Sequence, residues 1–150
     1  MAHGASEPLI GNIPSLTAAG AKAALLAAER EAQLHDWNVC IAVVDARGDL
    51  LAFQRMDGVM QLSLDLSQRK ARTAVYINAP SAALEERLHS GDHSVLMADA
   101  VIAAQGGVPI VIDGNTCGGI GVSGVEARFD TQIAEAGAAY VVAHASQGQR

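Results

Sequence analysis

GGVPIVIDGNTCGGIGVSG, residues Gly106 to Gly124, decides the fold, because it supports two incompatible architectures. Its closing hexapeptide, Gly119-Ile-Gly-Val-Ser-Gly124, has the glycine spacing of a dinucleotide-binding loop. A working loop of that kind directly follows the first strand of a βαβ unit and opens a helix whose amides hold the pyrophosphate. Here the glycines fall instead on the return strand of a hairpin, with Val108 to Ile112 and Cys117 to Val122 turned at Asp113-Gly114-Asn115. The acidic residue expected about twenty positions further on is also missing, since Val142-Ala-His-Ala145 stands there. The nucleotide reading is therefore set aside. Gly118, Gly119 and Gly121 lack side chains on a strand, which implies close approach by a helix, another subunit or a flat ligand.

Working outward, Leu16 to His35 reads as a helix capped by Thr17, with apolar residues recurring at Ala19, Ala23, Leu26, Ala27 and Leu34. Val39 to Ala46 and Leu50 to Met56 form a second hairpin around Arg47-Gly48-Asp49. Gln61 to Tyr76 and Ala82 to Leu88 read as helices separated by Asn78-Ala-Pro-Ser81, and a final helix spans Arg128 to Ala143. Residues 94–104 are ambiguous between helix and strand. The order is helix, hairpin, two helices, hairpin, helix. That pattern predicts an α+β fold, an antiparallel sheet flanked by helices, over residues 16–145, with a lead segment at 1–15 and a tail at 146–150.

Composition narrows the function classes. Half of the 150 residues are apolar and only 3% aromatic, so the core is expected to use small and branched side chains, and base-stacking platforms are not expected. A formal charge of −6 offers phosphate backbones no general attraction, which argues against nucleic acid as a partner. The opening MAHGASEPLIGNIPS resembles neither a signal peptide nor a membrane anchor, so the expected location is cytoplasmic. Cys40 and Cys117 lie in strand-like runs and are expected to be reduced core side chains.

The segments IAVVDARGDLLAFQRMDG, KARTA at Lys70 to Ala74, GGVPIVIDG with GGIGVSG, and the acidic start of the final helix, in this order, resemble the GlcG/HbpS family. The resemblance spans Leu16 to Val142. It implies an α/β sandwich that assembles into homo-oligomers from dimer to octamer, and it makes haem or another tetrapyrrole the leading ligand. One haem-binding branch of that family uses a Thr shortly before the Gly-Gly pair. This chain departs from that pattern, with Val101-Ile-Ala-Ala-Gln105 in its place.

Haem needs an apolar slot, an axial ligand and cations for its propionates. Arg55, Lys70 and Arg72 are candidate cations, or else partners of Asp57 and Asp65. His89 and His93 flank Asp92 in a loop, and His93 is the candidate ligand for a metal or haem iron. The expected small-molecule pocket is bordered by Arg55, Asp57, Lys70, His89, His93, Gln105, Gly106 and Gly107. An alternative is a lyase, hydratase or isomerase in which Arg55 or Lys70 clamps a small carboxylate and His93, Asp57 or Lys70 does the catalytic work. A further alternative is a purely structural oligomeric subunit. His35 and His144 are read as a helix-end charge and a tail residue.

Overall fold

The computed structural model describes residues 6–148, so residues 1–5 of the expected lead and 149–150 of the expected tail lie outside the described residues. The elements are α1 (Ala18–Leu34), β1 (Cys40–Asp45), β2 (Leu50–Arg55), α2 (Leu62–Ile77), α3 (Ala82–His89), β3 (Gly107–Ile112), β4 (Asn115–Ser123) and α4 (Ala127–His144). The four strands form one antiparallel sheet in the order β2-β1-β4-β3. This is the α+β arrangement expected from the sequence. The ambiguous stretch becomes a 3-10 turn, His93–Met97, followed by irregular chain whose Ile102 amide is held by Thr73 Oγ1 at 2.9 Å.

Local chemistry sets the element ends. Thr17 Oγ1 accepts from the Gly20 amide at 3.1 Å and caps α1. Asp113 and Gly114 both take positive φ, 50° and 77°, as a two-residue hairpin turn requires.

Both faces of the sheet are covered, which explains why β1 is apolar throughout rather than alternating. Ile41, Val43, Ile120 and Val122 pack with Ala24, Ala28, Ile133 and Ala134 beneath α1 and α4. Ala42 and Val44 point the other way, to Ala71 and Val75 of α2. Gly107 of β3 and Gly119 and Gly121 of β4 serve this second face. A Cβ at Gly119 would stand 2.7 Å from the Ala71 carbonyl oxygen, and one at Gly121 would collide with the Ser67 carbonyl. Gly107, paired with Gly121, is closed in the same way by the Lys70 carbonyl. The close neighbour that Gly119 and Gly121 implied is thus the backbone of α2 in the same chain, whereas Gly118 meets the Val44 carbonyl of β1 and the Leu16 side chain.

Candidate functional site

The residues named from the sequence divide among three places. Lys70 is buried on α2, where Nζ donates to the Val122 carbonyl and to Asp130 Oδ2, each at 3.0 Å. Asp130 Oδ1 accepts from the Val125 amide at 3.1 Å. Burial pushes the Asp130 carboxyl above the usual range, a shift that the Lys70 ammonium and the backbone amides oppose. Lys70, expected as a clamp or catalytic group, is therefore a tie between α2, β4 and α4. Gly106 and Gly107, expected to border the pocket, pack onto Lys70. Gln105 is half-buried beside α4, 3.5 Å from Thr131 Oγ1.

Arg55 and Asp57 share a polar cleft of about 280 Å³ with Glu29, Gln33, Asn38 and Gln54. Neither Lys70 nor His93 lines it, because Lys70 sits on the α2 face of the sheet while the cleft lies against α1. Arg72 is half-buried on α2, and the expected partner of that helix's cations, Asp65, pairs with Arg69 at 3.9 Å.

His89 ends α3 and His93 opens the 3-10 turn, and both are exposed. Asp92 between them holds the turn: its carboxylate accepts from the Ser94 amide at 3.1 Å and from Arg87 at 2.6 Å. Hydrogen bonds from Ser94 and then Arg87 lower its pKa to about 2. No third ligand joins these histidines, since the described residues contain no group of three or more His, Cys, Asp or Glu that could hold a metal.

An apolar groove of about 490 Å³ lies elsewhere, between the first turns of α1, the outer end of β3 and the last turn of α4. α1 and α4 touch where a Cβ at Gly137 would stand 2.7 Å from the Ala24 carbonyl, and the groove opens beyond that contact. Leu16, Ala19, Ala23, Ile112 and Val141 supply its apolar walls. The small Ala19 and Ala23 leave the space, and Cys117, Tyr140 and His144 bring the groups able to coordinate a metal. The Arg30 guanidinium lies 5.8 Å from the centre of the Tyr140 ring and places a cation beside that wall. A groove of this size and character falls within the range of about 300–1,000 Å³ typical of small-molecule sites. An apolar slot, ligating side chains and an adjacent cation are what a haem group asks of its site, so these residues fit the group.

Sequence reasoning missed this groove. Its apolar walls are Ala, Leu, Ile and Val, which read as core, and His144 stands one residue past the expected end of the last helix. The available signal was an aromatic residue and a histidine spaced i, i+4 at a helix terminus, Tyr140 and His144.

Comparison with known proteins bears on this geometry. The family model described as "Haem degrading protein HbpS-like" matches residues 16–139. Protein GlcG of Escherichia coli K12 is 40% identical over 103 residues, covering 69% of this chain and 77% of GlcG. A double mutant of Streptomyces reticuli HbpS superposes with a TM-score of 0.81 at 35% identity, covering 90% of this chain and 92% of HbpS. PduOC, solved as a complex with haem, superposes with a TM-score of 0.78 at 27% identity, covering 84% of this chain and 94% of PduOC.

Proposed function

We propose that this chain, which belongs to the HbpS-like family, binds haem or another tetrapyrrole in the groove between α1 and α4. The observation that carries the reading is the groove itself, about 490 Å³ and walled mainly by apolar side chains. Burying a flat apolar macrocycle there removes hydrocarbon from water on both sides, worth about 25 cal/mol per Å² of apolar surface. Exposed Leu9, Ile10 and Ile13 in the segment leading to the groove support homo-oligomer formation as part of the same reading. No described helix is long and apolar enough to cross a membrane.

The test is titration with haemin and, separately, with metal-free protoporphyrin. Saturable binding of both, with a sharpened haemin Soret band, is expected. Failure of both to saturate at micromolar ligand overturns the reading.

A second reading rests on a different observation, the joint placement of Arg55 and Asp57 in the polar cleft. There Arg55 would take a small carboxylate and Asp57 or Glu29 would exchange a proton with it, as in a lyase or isomerase. A thermal-shift screen of small keto and hydroxy acids tests it, because a ligand that binds only the native state raises Tm. A shift abolished by Arg55→Ala supports this reading, and a flat screen removes it.

A further inference from the structure

We propose that His144 is the iron ligand of the groove, an assignment that rests on the tetrapyrrole reading above. Its Nδ1 lies 2.7 Å from the Tyr140 carbonyl oxygen. A carbonyl can only accept, so the proton of the neutral imidazole sits on Nδ1 and the lone pair is left on Nε2. This is the arrangement by which a backbone carbonyl orients a metal-binding histidine. The ring is also stacked on Tyr140, with centroids 4.1 Å apart and planes 23° from parallel, which limits its rotation. Tyr140 and His144 both line the groove, so the imidazole is presented from the groove wall and not from a loop.

The other described histidines lack this combination. His35 Nε2 is engaged by Glu31 at 3.2 Å and by Gln132 at 3.3 Å, and its ring is stacked on Trp37. His89 and His93 lie outside the groove, and no hydrogen bond from the described residues orients either ring. Within the groove, Cys117 is buried, and its Sγ is turned toward the Asn115 carbonyl at 3.5 Å. Among the described residues, His144 is the exposed group of the groove whose ring is oriented through Nδ1 and whose other nitrogen has no hydrogen bond.

His144→Ala separates iron ligation from tetrapyrrole binding. With wild-type and variant proteins at equal Tm, the variant is expected to bind haemin about tenfold or more weakly and to lose the imidazole-type spectrum. Added imidazole should restore that spectrum. Metal-free protoporphyrin, followed by fluorescence, should bind both proteins equally, because it has no iron to coordinate. His93→Ala should match wild type in every measurement.

Unchanged haemin affinity and spectrum in His144→Ala overturns the ligand assignment and leaves the tetrapyrrole reading standing if protoporphyrin still binds. Loss of the spectrum in Tyr140→Phe but not in His144→Ala overturns it in favour of the phenolate. If the wild-type protein binds neither haemin nor protoporphyrin, the reading beneath the assignment fails and the assignment fails with it.

Discussion

The two faces of the sheet use small residues to opposite ends. On the α2 face, Gly107, Gly119 and Gly121 let a helix backbone come down onto the strands, and the space is filled. On the α1 and α4 side, Ala19 and Ala23 stand opposite Tyr140 and Val141 where the helices no longer touch, and the space stays open. The difference teaches that a small side chain makes a cavity only where no neighbouring backbone can advance into it. The same holds for charge: Lys70 on the closed face is consumed by Asp130, while Arg30 beside the groove meets only an aromatic ring among the described side chains.

The largest expected effect lies on the closed face. Asp130→Ala leaves the Lys70 ammonium buried without its counter-charge and should cost about 3–5 kcal/mol in urea unfolding. The double variant Lys70→Met/Asp130→Leu should recover most of that loss, because the penalty comes from an unpaired charge and not from missing volume. An Asp130→Ala midpoint equal to wild type would break the contrast between the faces.

A smaller loss is expected from Gly121→Ala, about 1–3 kcal/mol, as the new methyl group forces the strand away from Ser67 and Ala71 of α2. Unfolding curves for this variant that overlay wild type would mean that α2 gives way easily and that the face is not closed by backbone contact.

The smallest effect concerns the loop where the sequence suggested a metal. The Asp92 pKa of about 2 reflects hydrogen bonds from Ser94 and Arg87 in the folded state. A folded pKa depressed in this way contributes stability that is fully present above the ordinary carboxylate value and is lost as pH falls through about 2. Carboxyl titration by NMR should give that low midpoint, and Arg87→Ala should move it upward. A wild-type midpoint at the ordinary value would show that Asp92 does not clasp the turn.

Much of the fold was legible because its signals are local. β-Branched runs broken by Arg47-Gly48-Asp49 and Asp113-Gly114-Asn115 specify hairpins whatever packs on them, and Thr17 marks its helix start within one turn. The motifs that resemble the GlcG/HbpS family carried the fold class with them. The site was less legible, because its determinants are not local. Lys70 meets Asp130 across sixty positions of sequence, a pairing that no spacing rule exposes. The glycine strand announced a close neighbour without naming it, since a helix backbone and a flat ligand make the same demand on a strand. His144 was misplaced for a boundary reason, as helix ends are uncertain by one or two residues and this histidine lies within that margin. Arg55 and Asp57 line one cleft because they are neighbours at one strand end, whereas their grouping with Lys70 and His93 assumed a convergence that the sheet prevents.

The central claim, that the open space beside α1 is a tetrapyrrole site, is tested most directly by filling it. Ala23→Phe places a ring in the groove from the α1 wall, and haemin titration of this variant is compared with wild type at matched Tm. Saturable binding by wild type and its loss in Ala23→Phe is the predicted result. Equal binding by the two proteins would contradict the account, because haemin would then be held somewhere other than the groove.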